Sequence, residues 1–289
     1  MGMENLAIGS LPGVNPEQVA IRRLTGAIGA EIKGIDLGQG WDDAVFKVIY
    51  DALMEHGVVF LRDQSWTVDQ QLEFSKLLGS PAFSKKLPFY DGTYEYVSVL
   101  ENDGTQLVVG DVWHNDNTDW VSPPMGAVLH SEEMPEYGGD TLWASTYAAY
   151  DRLSAPMKQM LEGMTAIHDN SVVAAMYSST KSLRSDGLQA DETVEHPIVR
   201  THPVTKRKAL FVNSVYTRRV VGMGADEGKA LLEMLYEQVK YPETQVRFRW
   251  EPNSVAIWDN RCTQHYAVSD YAGFRRKMRR VQIEGDRPF

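Results

Sequence analysis

The sequence predicts an α+β protein built round a rolled or barrel-like sheet. Three observations carry that expectation: many short β-branched runs end in turn residues, only a few segments have helical period, and strands and helices do not alternate as regular βαβ units. At 289 residues one large domain is expected rather than two, and 43% hydrophobic with 24% charged residues is a globular composition.

Taken in order, residues 1–20 read as a loose N-terminal segment and 21–289 as a single domain. "IRRLTGAIGAEIKGIDL" is punctuated by Gly26, Gly29 and Gly34, as short strands and turns are. "WDDAVFKVIYDALMEHG" sets Val45, Ile49, Ala52 and Leu53 on one helical face and stops at Gly57. "VVFLRDQ" is a buried strand, and "TVDQQLEFSKLLG" a second helix with Thr67 and Gln70 at capping-box spacing and Gly79 at its end. From Tyr96 strands dominate: "YVSVLEN", "VVGDVWHND", "GAVLHSEE" and "GGDTLWAS", then a short helix in "SAPMKQMLEGM". Residues 170–193 form a polar stretch without period, long enough for a lid. "PIVRTHP" and "KALFVN" make a hairpin, "ADEGKALLEMLYEQV" a helix, and "QVRFRWEPNSVAIWDN" and "RRVQIEG" the last strands.

The formal net charge of −10 argues against nonspecific attraction to nucleic acid or an anionic membrane. Cys262 is the only cysteine, so no internal disulfide can form, and a cytoplasmic location is expected. The first residues lack a basic stretch followed by an apolar one, and no apolar run approaches spanning length. A homo-oligomer, dimer or tetramer, is expected because symmetric assemblies are common among soluble enzymes.

Chemistry concentrates in "VWHNDNTDW". On a strand, residues i and i+2 share a face, so His114 and Asp116 would project together while Asn115 points away. Imidazole and carboxylate suit a divalent first-row metal, and two histidines with one carboxylate leave open the positions that non-heme Fe(II) oxygenases use. His265 in "WDNRCTQHYAVSDY", close behind a core strand, is a candidate third ligand. His130 and Glu132 in "HSEE" match the same spacing, which does not choose between the pairs.

"WHND", "GGDTLWAS", "HPVTKRKALFVN", "IWDNRCTQHYAVSDY" and "RRKMRR" resemble, in order and spacing, motifs of the taurine/2-oxoglutarate dioxygenase family, which includes aryloxyalkanoate and alkylsulfate oxygenases. The resemblance runs from about Ile21 to Phe289. It implies a double-stranded β-helix (jelly-roll) core with flanking helices, an Fe(II) triad of His114, Asp116 and His265, and no role for His130 and Glu132. It also implies 2-oxoglutarate as cosubstrate, its far carboxylate held by Arg276 with help from the Thr141 hydroxyl, and O2 as oxidant. A guanidinium suits that task because its planar fork grips a carboxylate and stays charged.

Oxidative decarboxylation would release succinate and carbon dioxide and leave an oxidant that removes hydrogen from the substrate, so the site must be dry. Trp113, Trp143 and Trp258 are candidate walls, and Trp143 shares a strand face with Thr141. Arg280, four residues past Arg276, matches the arginine that holds the substrate anion in relatives. The histidine, tyrosine and asparagine of the taurine site are replaced, with Ser84, Leu87 and Gly110 at those places. The expected substrate is therefore a small to medium anion bulkier than taurine, bordered by Arg280, Asn117, Tyr216 and Ser84, with Lys85 or Lys86 as further anion contacts. Alternatives are the same machinery used for desaturation, cyclisation or carbon–heteroatom cleavage in a biosynthetic pathway, or a non-catalytic binding module.

Overall fold

The computed structural model describes Val14 and residues 19–83, 93–103, 110–179 and 193–289. It is an α+β architecture. A seven-stranded sheet has the spatial order Ala20–Arg23, Ala30–Lys33, Val58–Leu61, Val255–Asp259, Gly126–Glu133, Arg276–Ile283, Ser98–Asn102. All neighbours are antiparallel except Ala30–Lys33 with Val58–Leu61. A three-stranded sheet, Gln245–Phe248, Thr141–Ser145, Thr263–Ala267, faces it.

Hydrophobic alternation sets these layers. Val58, Phe60, Ala127, Leu129, Ala256, Trp258 and Met278 from the large sheet pack against Trp143, Val246 and Phe248 from the small one. The odd-numbered partners Val59, Leu61, Val255 and Ile257, with Val128, face the other way. They are covered by the helix Asp43–His56, whose Val45, Val48, Ile49, Ala52 and Leu53 are buried. Asp42 caps that helix by accepting from Val45 N, and Gly57 ends it at φ 71°, a left-handed conformation that favours glycine. The Thr67/Gln70 capping box opens Val68–Leu78, and each such cap contributes about 1 kcal/mol. Beyond the small sheet a third cluster joins Ala144 to Ile198, Leu210, Val212 and the apolar face of Ala225–Glu237.

Several expectations need correcting. The stretch "VVGDVWHND" is not a strand over its described part: His114 makes a single antiparallel bridge to His265, and residues 116–119 turn, with Asn117 at φ 50°. Residues 170–193 are not without structure at their start, because Ser171–Ser179 is a helix. Its start is fixed by Asp169, whose carboxylate accepts from Ser171 N and is gripped by Arg218 Nε at 2.6 Å. The rest of the expected lid and most of residues 1–20 lie outside the described residues, as do Ser84, Lys85, Lys86 and Leu87. The helix Thr146–Asp151 and the strands Thr165–His168, Val194–Pro197 and Thr217–Val220, which form a further sheet, were not anticipated. Among the described residues no helix is long and apolar enough to cross a membrane.

Candidate metal centre

His114, Asp116 and His265 come together between the two sheets. Each offers one ligand atom, and the three atoms lie within 4.8 Å of one another. Backbone pairing brings the two histidines together: His114 N donates to His265 O at 3.1 Å and His265 N donates to His114 O at 2.9 Å. Their ring centroids are 4.2 Å apart. His114 Nδ1 lies 2.7 Å from Val112 O. A carbonyl only accepts, so this nitrogen carries the proton and Nε2 keeps its lone pair. Nε2 of His114 and of His265 each stand 3.9 Å from Asp116 Oδ1.

Burial, with the nearby His114 and Arg280, pushes the His265 imidazole down to about 3, so it is neutral and able to donate a lone pair at physiological pH. Burial opposes ionisation of Asp116, but Arg280, the two histidines and a hydrogen bond from Gln282 outweigh it and hold the carboxyl below its usual range. Two imidazoles and a carboxylate are a donor set suited to Fe(II). Asn115 does point away from the cluster, into the protein, where it is fully buried.

Two arginines approach from the large sheet. The strand Arg276–Ile283 pairs with Ser98–Asn102 in unbroken register, so Arg276, Met278, Arg280 and Gln282 share one face. Arg280 Nη1 lies 3.3 Å from both oxygens of Asp116. Arg276 is buried, bonds to Tyr271, has an unpartnered Nε, and faces no carboxylate within ion-pair distance among the described residues. Gly139 makes room for it: at φ 69°, a Cβ there would stand 3.2 Å from the Tyr271 ring and 3.4 Å from Arg276 Cδ. Thr141 Oγ1 accepts from Trp250 Nε1 at 2.9 Å, leaving its own proton to give. On the opposite face Arg279 and Lys277 are neutralised by Glu132 at 2.6 and 3.0 Å, so Glu132 is engaged and forms no ligand cluster with His130.

The tryptophans divide. Trp258 lies 5.2 Å from His265 by ring centroids, Trp143 is sealed in the core beside Phe60 and Trp258, and Trp113 packs on Tyr266. Trp143 is paired across the strands with His265, so the two side chains share one face of the small sheet. Next to Asp116, the Asn117 Oδ1 accepts from Tyr216 Oη at 3.5 Å, and Asn117 Nδ2 is buried without a partner. Gly110 sits at φ 115°, where a Cβ would be 3.9 Å from His114 Cε1, so the lack of a side chain there leaves space beside the first histidine.

The family described as "Taurine catabolism dioxygenase TauD, TfdA family" matches residues 20–282. An alkylsulfatase of Acinetobacter baylyi is 37% identical over 283 residues, covering 94% of this chain and 87% of that protein. An alpha-ketoglutarate-dependent sulfate ester dioxygenase of Pseudomonas putida is 37% identical over 296 residues, covering 99% and 95%. The crystal structure of a taurine dioxygenase from Burkholderia xenovorans superposes with a TM-score of 0.81 at 33% identity, covering 94% of this chain and 91% of that one.

Proposed function

The chain belongs to the TauD, TfdA family of taurine catabolism dioxygenases, and on that premise we propose that it oxidises a sulfate ester at a metal centre held by His114, Asp116 and His265. The protein is a non-heme Fe(II)- and 2-oxoglutarate-dependent dioxygenase. Iron, 2-oxoglutarate and O2 together supply an oxidant that takes hydrogen from a substrate carbon, with succinate and carbon dioxide as coproducts. The two facing sheets are the halves of a double-stranded β-helix, and residues 21–289 form one domain, cytoplasmic and assembled as a dimer or tetramer.

One observation carries the assignment of roles: two buried-face arginines, neither matched to a glutamate, stand on one strand beside the donor cluster. Arg276, with the Thr141 hydroxyl, binds the far carboxylate of 2-oxoglutarate. Arg280, which already borders Asp116, takes the substrate anion. Asn117 and Tyr216 border the substrate, and Ser84, outside the described residues, is a further substrate contact by resemblance alone. The unpartnered Asn117 amide supports an oxygen-rich head group, and Gly110 supports a body with more bulk than taurine. Both sulfate-ester and alkylsulfate relatives cover nearly the full chain at 37% identity, which favours a sulfate over a carboxylate. Hydroxylation of the carbon that bears the ester oxygen converts R–CH2–OSO3− to R–CH(OH)–OSO3−. That species loses bisulfate and leaves the aldehyde, so atoms balance with one O2 and one 2-oxoglutarate consumed.

The test is succinate, aldehyde and sulfate release with a series of alkyl sulfates, against taurine and aryloxy acids. Arg280→Ala is expected to lose substrate-stimulated turnover and keep slow, uncoupled succinate formation. Efficient taurine turnover, or full activity of Arg280→Ala, overturns the substrate reading.

A further inference from the structure

Asp116 is the one proposed ligand whose backbone no strand or bridge holds. His265 lies in Thr263–Ala267 and His114 is bridged to it, whereas Asp116 sits in a turn that passes directly into the left-handed Asn117. The group that replaces a strand partner is the side chain of Asn260. Its Oδ1 accepts from Asp116 N at 2.8 Å, and its Nδ2 donates to Asp116 O and to Pro124 O, both at 3.0 Å. One carboxamide thus meets both backbone groups of Asp116. Asn115 returns the contact: its Nδ2 donates to Asn260 O at 2.9 Å and to Thr263 O at 2.7 Å. Asn260 N is fixed in turn by Met125 O at 2.8 Å. Both asparagines are buried, and no solvent competes for these bonds.

We infer that Asn260, with Asn115, is a positioning residue that clasps the Asp116 turn onto the start of the His265 strand and sets the carboxylate at metal-binding distance. The inference rests on the proposed ligand set. Asn260 lies in the turn between Val255–Asp259 and Thr263–Ala267, so the clasp references Asp116 to the strand that carries His265 rather than to its own sequence neighbours. Only a carboxamide fits, because the position needs an acceptor and a two-proton donor on one planar group. An aspartate would lose both donations and set a carboxylate against Asp116 O.

The same arrangement occurs far from the site and supplies a control. Gln64 Oε1 accepts from Leu37 N at 2.8 Å, while its Nε2 donates to Ile35 O at 2.9 Å and Arg62 O at 2.6 Å. That carboxamide holds the loop before the first helix and touches no proposed ligand.

The experiment is an anaerobic titration with Co(II), whose visible bands report ligand geometry, on the parent protein, Asp116→Ala, Asn260→Ala, Asn115→Ala and Gln64→Ala. Asn260→Ala is expected to bind Co(II) about 10- to 100-fold more weakly, the usual range for partners of metal ligands, with altered bands. Asn115→Ala should weaken binding less, and Gln64→Ala should lower the Tm while titrating like the parent. If Asn260→Ala does not fold, Asn115→Ala decides. Parent-like affinity and bands in the folded clasp variants overturn the inference, as does equal weakening by Gln64→Ala, which would trace the effect to general destabilisation. If the parent and Asp116→Ala titrate alike, the ligand set itself fails, whatever the clasp does.

Discussion

Two clusters of ligand-type side chains lie among the described residues, and they differ in what surrounds their lone pairs. His114, Asp116 and His265 form one; His202, Asp259 and Cys262 form the other, more deeply buried, and in each the three ligand atoms lie within 4.8 Å of one another. In the second, His202 Nδ1 already accepts from Val204 N at 3.2 Å and Thr205 N at 3.0 Å, so Nε2 carries the proton and donates to Asp259 Oδ2 at 3.0 Å. Arg261 grips both oxygens of the same carboxylate, with Nε to Oδ1 at 2.9 Å and Nη2 to Oδ2 at 2.6 Å. Burial, with the Asp259 charge, pushes the Cys262 thiol far up, and it stays protonated. The acceptors of His202 and Asp259 that a cation would need are engaged, and the thiol keeps its proton. In the first cluster His114 keeps its Nε2 lone pair, His265 Nδ1 is buried without a hydrogen-bond partner, and Asp116 faces Gln282 and Arg280, the latter at the long end of hydrogen-bond distance. Proximity of donor types therefore does not make a metal centre; unfilled acceptor capacity does.

The largest expected effect comes from breaking the closed cluster. Asp259→Ala leaves Arg261 buried without its partner and should lower the unfolding free energy by about 3 to 5 kcal/mol in denaturant titration, while iron uptake per chain is unchanged. Loss of a bound iron equivalent would mean that the second cluster is also a metal site. The converse change, Asp116→Ala, should weaken iron binding by more than about a hundredfold, roughly 2.7 kcal/mol, with the fold intact by circular dichroism. His114→Ala and His265→Ala should behave likewise, and unchanged iron affinity in any one removes that residue from the ligand set.

A smaller change sharpens the contrast between satisfied and waiting arginines. Arg276→Ala should raise the 2-oxoglutarate requirement about ten- to a hundredfold, the loss of a charge-assisted contact of about 1.5 to 3 kcal/mol. Arg279→Ala, whose guanidinium is already paired with Glu132, should leave it unchanged. Cosubstrate dependence that ignores Arg276 would place that carboxylate elsewhere.

The smallest effect concerns a third kind of buried histidine, one whose ring nitrogens have only hydroxyl groups as hydrogen-bond partners. His168 lies 3.0 Å from Thr118 Oγ1 and 3.4 Å from Thr217 Oγ1, and burial pushes it down to about 3. The native state keeps it neutral while the unfolded chain takes up a proton near pH 6.5. Stability is therefore full above that pH and falls on acidification toward 3, by at most about 1.4 kcal/mol per pH unit. Denaturant titrations of the parent and His168→Leu between pH 7 and 5 should show a shallower dependence in the variant, whatever its absolute stability.

What the sequence made legible was what neighbours in sequence decide. Gly57 and the Thr67/Gln70 pair punctuate the first two helices, and each acts within four residues, as does the Asp42 cap, which was not anticipated. Strands with β-branched alternation, such as Val255–Asp259, also stood out. The pairing of His114 with Asp116 was anticipated through a strand that does not exist; the turn that replaces it is fixed by Asn260, 144 positions away, which no local pattern encodes. The helix Ser171–Ser179 was missed because its apolar residues run consecutively and give no stripe, and its start depends on Arg218. The closed cluster was invisible for the same reason: His202 and Asp259 are ordinary residues until folding opposes them.

With His114 and His265 as proposed ligands, the bridge between them has a consequence for how the protein acquires iron. The two histidines are about 150 positions apart, and joining ends that distant costs an unfolded chain about 4 kcal/mol in loop closure before any contact forms. A nascent chain therefore presents His114 and Asp116 without the distant His265, and iron cannot nucleate folding here as zinc does in small metal-dependent domains. Capture comes after the long-range sheets have zipped, so the apoprotein must be stable by itself. Bound iron then raises the native population by mass action alone, about 1.4 kcal/mol for each tenfold excess of free metal over Kd.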